Sequence, residues 1–114
     1  LAKIRVQFSV VCVVIISGIC SKKVMSNYLK FKNLHYGDVP LVLGNVWDVP
    51  SAKLMDSLGY EALGTSSAAI AAMLGYKDGE HLSFEELLFV VERIVKCVNV
   101  PLSVDMESGY GKSA

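Results

Sequence analysis

The sequence predicts an α/β fold with parallel strands, and three observations carry the prediction. From residue 25 onward, short apolar runs alternate with segments of helical periodicity. Glycine, proline or a capping residue bounds each apolar run, and the runs are far enough apart to hold a helix between them, as parallel pairing with right-handed crossovers requires. No long polar linker divides the chain, so one modest core is expected from 114 residues. Eleven basic residues balance eleven acidic ones, which leaves no basic footprint for nucleic acid.

Each element has a local reason. Leu29, Leu34 and the neighbouring aromatics form a short helix that ends near Gly37. Pro40-Leu41-Val42-Leu43-Gly44 is a short apolar strand. Asp48 is suited to cap the next helix and Pro50 to sit in its first turn. Ala52, Met55 and Leu58 should face the sheet, and Gly59 stops the helix. Glu61-Ala62-Leu63-Gly64-Thr65 is the second strand, and Ser66-Ser67 can cap a small-residue helix over 68–74. Residues 75–81 form a loop. Ser83 and Glu86 make a capping box for a helix from Phe84 to Val98, whose apolar face carries Leu87, Leu88, Val91, Ile94, Val95 and Val98. Pro101-Leu102-Ser103-Val104-Asp105 is the third strand, and a sheet that stops there leaves that strand an unpaired outer edge.

Residues 1–24 stand apart. They open on Leu1, carry Lys3 and Arg5 ahead of an apolar run from Phe8 to Ile16, and end in Ser17-Gly18-Ile19-Cys20, an outline shared with secretory signals. The run is too short and interrupted for a membrane span, which needs about 20 apolar residues. Met25 begins a polar amphipathic stretch of the kind that opens a cytosolic domain. Residues 1–24 are therefore read as an apolar leader or non-native upstream sequence, and 25–114 as the domain proper. The expected location is cytoplasmic, without membrane attachment; export or membrane association is the alternative if 1–24 are a genuine signal. Cys12, Cys20 and Cys97 form neither a metal-ligand spacing nor an even disulfide set.

The chemistry concentrates at the end of the third strand. In Val104-Asp105-Met106-Glu107-Ser108-Gly109-Tyr110-Gly111, two carboxylates two residues apart close an apolar run. Side chains at i and i+2 of a strand share one face, so Asp105 and Glu107 can offer two hard oxygen ligands to one divalent metal. His35 and His81 lack a second histidine or cysteine at ligand spacing and are read as surface residues; Cys97 is read as a small buried hydrophobe.

Five segments together resemble the isocitrate lyase and phosphoenolpyruvate mutase superfamily: Leu43-Gly44-Asn45-Val46-Trp47-Asp48, Gly59-Tyr60-Glu61-Ala62-Leu63, Thr65-Ser66-Ser67-Ala68, Leu74-Gly75-Tyr76-Lys77-Asp78-Gly79 and the acidic segment from Val104 to Gly111. They stand in family order and spacing across nearly all of residues 25–114. The resemblance implies a (β/α)8 TIM barrel, of which this chain holds the N-terminal part, the first three βα units. It further implies Mg²⁺, with Mn²⁺ as a substitute, a small carboxylic acid substrate of the 2-oxo, 2-hydroxy or enol type, and a homo-oligomeric parent enzyme.

Carried over residue by residue, the resemblance makes Asp105 and Glu107 the metal-site acids, with glutamate standing where many relatives have aspartate. Ser66, Ser67 and Ala68 match the substrate-anchoring turn, although N-capping alone also explains the serines. Asp78 matches a catalytic acid on the second βα loop, and equally an ordinary turn residue before Gly79. Asn45 and Trp47 are pocket lining beyond the first strand; Asp48 is read as a helix cap. The implied reaction is C–C bond cleavage through a metal-stabilised enolate. The alternatives are phosphoryl transfer of the P–C bond-forming mutase type and a noncatalytic truncated product. The gating loop and further acids that separate family lyases from mutases match no segment before Ala114.

Overall fold

A computed structural model describes residues 11–12, 21–79 and 81–110. The leader expected over 1–24 lies outside the described residues except for a two-residue strand and the first turn of a helix. The elements are β1 (Val11–Cys12), α1 (Ser21–Leu34), β2 (Gly44–Val46), α2 (Val49–Ser57), β3 (Leu63–Thr65), α3 (Ser67–Met73), α4 (Phe84–Cys97) and β4 (Leu102–Asp105). The chain is α/β, as the alternating pattern predicts.

The sheet order is β1-β4-β3-β2. β2 and β3 pair in parallel with Gly44 opposite Leu63 and Val46 opposite Thr65, and β3 and β4 pair in parallel with Leu63 opposite Leu102 and Gly64 opposite Ser103. One expectation needs correction. The outer edge of β4 is paired: β1 runs antiparallel to it, with Val11 opposite Asp105 and Cys12 opposite Val104. An open strand edge templates whatever extended apolar segment reaches it, and Val11–Cys12 does so here.

The helices lie where local chemistry starts and stops them. Asp48 caps α2, its carboxylate accepting from the Ser51 amide at 2.7 Å while the Ser51 hydroxyl accepts from the Asp48 amide at 3.2 Å. Gly59, at φ +85, provides the left-handed turn beyond it. Ser83 and Glu86 form the capping box of α4. Gly44 is required by close approach: a Cβ there would stand 3.2 Å from both Leu63 Cδ2 and Tyr60 Cγ.

A continuous core fills the space between helices and sheet, built from Val46, Leu63 and Val104 of the strands, Ala52 of α2, Ile70 of α3, and Leu87, Val90, Val91 and Ile94 of α4. Three expected core positions fall elsewhere. Leu58 caps the C-terminus of α2 and is 65% exposed, and Leu88 and Val95 only border the core, while Val90 is buried in their stead. β2 starts four residues later than expected, because its ladder is set by β3 and Pro40 has no amide to donate. No described helix is long and apolar enough to cross a membrane.

Candidate metal and substrate site at the carboxyl ends of the strands

Alternation along the strands divides the site from the core. Val46, Thr65 and Val104 lie buried on one face, and Asn45, Gly64 and Ser103 lie side by side in register on the other, where only Gly64 is buried, with Asp105 two residues beyond Ser103 on that same face. Asn45 and Asp105 are exposed there. The carboxyl ends of parallel strands are where α/β and barrel proteins bind ligands, since amides of the following helices and loops converge there.

Asp105 is held from three directions. Its amide donates to Thr65 Oγ1 at 2.9 Å. The Ser67 hydroxyl donates to Asp105 Oδ2 at 2.6 Å, in the short range of a charge-assisted bond. The Glu107 amide donates to Asp105 Oδ1 at 2.9 Å, closing a turn in which Glu107 takes the left-handed conformation, φ +49. Gly109 follows at φ +104 and its amide donates to Met106 O at 2.7 Å, so the acidic segment folds back tightly on itself. Thr65, which holds the Asp105 amide, and Ser67, which holds its carboxylate, are both buried, at 6% and 7% exposure, while Asp105 itself is exposed.

A carboxylate offers about four lone-pair positions, and the two recorded donors occupy one on each oxygen of Asp105. Among the described residues, both oxygens thus keep a position for a hard cation. Mg²⁺ is commonly held by one or two carboxylates with waters completing its shell, which suits the Asp105 and Glu107 pair. Among the described residues, no group of three or more His, Cys, Asp or Glu side chains is arranged to hold a metal ion. Asp78 is therefore not gathered into one ligand cluster with Asp105 and Glu107.

The serines of the 66–68 turn have separate tasks. Ser66 is the N-cap of α3, its hydroxyl accepting from the Ala69 amide at 3.3 Å. Ser67 donates its one hydroxyl proton to Asp105, so that proton is not offered to a substrate anion. Ala68 is exposed beside them. Thr65 escaped the sequence reading; its signal is that a β-branched polar residue ends the strand next to the one bearing the acid.

Asp78 lies exposed in the loop between α3 and α4, with its Oδ1 accepting from the Gly79 amide at 3.0 Å. This loop is tied to α4 by the Tyr76 hydroxyl, which donates to Glu86 Oε1 at 2.7 Å while Glu86 Oε2 accepts from the Ser83 hydroxyl at 2.8 Å and amide at 3.1 Å. The bond from Tyr76, aided by Ser83, holds the Glu86 carboxyl below its ordinary range, and the same bond pushes the Tyr76 phenol above its ordinary value. Trp47 is exposed just beyond β2, whereas Asn45, expected beyond the strand as well, is exposed within it, paired with Gly64 because the ladder runs on to Val46. His35 is exposed and bonds through Nδ1 to Phe31 O at 2.7 Å, His81 is exposed, and Cys97 is half-buried.

Comparison with known proteins places these features. The family model for phosphoenolpyruvate phosphomutase matches residues 31–114. An uncharacterised protein of Mycobacterium tuberculosis H37Rv is 35% identical over 82 residues, covering 72% of this chain and 31% of that protein. An oxaloacetate decarboxylase of Paraburkholderia xenovorans LB400 is 39% identical over 74 residues, 64% of this chain and 25% of that enzyme. The crystal structure of a candidate phosphonomutase from Burkholderia cenocepacia J2315 superposes with a TM-score of 0.72 at 41% identity, over 76% of this chain and 35% of that one. The chain thus spans about a third of the length of the proteins it matches or less. The model match and the structural likeness run through the same strands and helices that present Asp105, and on them the chain belongs to the phosphoenolpyruvate phosphomutase family, within the isocitrate lyase and phosphoenolpyruvate mutase superfamily.

Proposed function

We propose that this chain supplies the metal-holding portion of a Mg²⁺-dependent enzyme that cleaves a C–C bond in a small 2-oxo or 2-hydroxy acid. The observation that carries the reading is Asp105: an exposed carboxylate at the carboxyl end of a parallel strand, oriented by Ser67 and the Glu107 amide, with one donor from the described residues on each oxygen. When bound, a divalent ion supplies the positive charge that stabilises the enolate left by cleavage beside a carbonyl. Asp105 would hold such an ion, and Glu107, from the following turn, would add the second carboxylate.

Asn45 and Trp47 line the substrate side, and the turn at Ser66, Ser67 and Ala68 borders it. Asp78 acts from the loop as the catalytic acid. Tyr76 and Glu86 steady that loop. A second reading, P–C bond-forming phosphoryl transfer, is favoured by the family whose model the chain matches; C–C cleavage is favoured by the likeness to the Paraburkholderia oxaloacetate decarboxylase.

The test is turnover of oxaloacetate and of phosphonopyruvate by the protein that carries this chain, with Mg²⁺ and with EDTA. Cleavage of the 2-oxo acid that needs Mg²⁺ and is abolished in Asp105→Ala is the expected result. Activity that survives EDTA or survives in Asp105→Ala overturns the reading, and turnover of the phosphonate alone moves the assignment to the mutase.

A further inference from the structure

We infer that Ser67 is a positioning residue that pre-sets the Asp105 carboxylate for its metal, and is not a contact to substrate. The inference rests on the reading of Asp105 as the metal-holding acid. A solvent-facing carboxylate is hydrated by water and needs no protein donor for that purpose, yet Asp105 receives a 2.6 Å bond from a hydroxyl that is itself buried. The buried hydroxyl also carries a desolvation cost that an alanine would not. α3 is otherwise rich in alanine, with Ala68, Ala69, Ala71 and Ala72 following it, and alanine carries no polar group to desolvate. The one side-chain partner recorded for Ser67 among the described residues is Asp105.

The geometry explains what the bond does. Glu107's amide fixes Oδ1 and Ser67's hydroxyl fixes Oδ2, so the carboxylate plane is pinned at both ends. With the Glu107 contact alone, the carboxylate can rotate about its last torsion, and a cation must then pay to order it. Groups that orient a metal ligand in this way typically change metal affinity by about 10- to 100-fold when removed.

The experiment is Mn²⁺ binding to the native chain and to variants, followed by the electron paramagnetic resonance signal of the free ion, with unfolding monitored by circular dichroism. The native chain should bind one Mn²⁺ and Asp105→Ala should not. Ser67→Ala should bind about tenfold more weakly or worse, and Ser67→Thr, which keeps the hydroxyl, should restore binding; a loss of packing alone would not be rescued by the larger residue. Ser67→Cys, close to serine in volume but a weak donor, should fall between native and Ala, and it carries the test if Ser67→Ala does not fold. Native affinity in a folded Ser67→Ala, or in Ser67→Cys, overturns the positioning role while leaving the metal site standing. Absence of binding to the native chain, or binding retained by Asp105→Ala, overturns the metal reading and the positioning role with it.

Discussion

The Asp105 amide donates to Thr65 Oγ1 at 2.9 Å, so a side chain of β3 takes the last amide of β4 just where the recorded pairing of those strands ends at Gly64 and Ser103. The bond reaches across 40 positions of sequence and anchors the acid's backbone as Ser67 anchors its carboxylate.

Thr65→Val keeps the shape and removes the acceptor. Leaving one partner of such a bond unsatisfied costs about 1–3 kcal/mol, so urea unfolding of the valine variant should move to lower denaturant with an unfolding free energy smaller by that amount, and Thr65→Ser should recover most of it. An unshifted midpoint in Thr65→Val would show that water replaces the hydroxyl freely.

Glu107 gives a separate handle on the turn, because it is a non-glycine residue at φ +49. The left-handed conformation costs most residues about 1–2 kcal/mol, and asparagine tolerates it. Glu107→Asn should therefore hold or raise the unfolding temperature while weakening Mn²⁺ binding through the lost charge. Glu107→Val should lower the unfolding temperature, since β-branching makes this conformation worse. Equal stability of the two variants in differential scanning calorimetry would count against the strain.

What was legible in the sequence is what is local. The Ser83 and Glu86 capping box and the Asp48 cap involve partners three residues apart, and the apolar periodicity of α4 names three of its four buried residues, Leu87, Val91 and Ile94. The rest depends on partners far along the chain. Pro40 lacks an amide for the ladder, but nothing local says that pairing begins as late as Gly44, because β3 decides it. The links from Thr65 and Ser67 to Asp105 exist only once β3 and β4 lie side by side, and the pairing of Val11 with Asp105 has the same origin. Asp105 and Glu107 were readable as a pair of acids; the orientation of Asp105 was not.

The Tyr76 and Glu86 bond makes a pH prediction. Glu86's carboxyl is lowered chiefly by Tyr76, so its contribution to stability is present above the ordinary carboxylate range and is lost as pH falls through the lowered value. Tyr76's phenol is raised chiefly by Glu86, so its contribution is present below 10.0 and is lost as pH rises through the raised value. Between these limits the loop bearing Asp78 stays tied to α4. In Tyr76→Phe, carbon-detected NMR should find Glu86 titrating at higher pH than in the native chain. An unchanged Glu86 midpoint would mean that Ser83 alone holds the carboxylate.

Ser66 can be tested so that capping and anion recognition come apart. Its hydroxyl accepts from the Ala69 amide, so Ser66→Ala should destabilise the chain by about 0.5–2 kcal/mol as a lost N-cap. Aspartate caps a helix as well as serine does, and its charge is favourable at a helix N-terminus, so Ser66→Asp should keep native stability. The same charge would repel a carboxylate or phosphoryl group arriving at the 66–68 turn. If the turn receives the substrate's anionic group, Ser66→Asp in the enzyme that carries this chain should raise KM steeply while unfolding at the native denaturant concentration. If Ser66 only caps α3, Ser66→Asp should match the native protein in both stability and KM, and the two measurements on one variant decide between the roles.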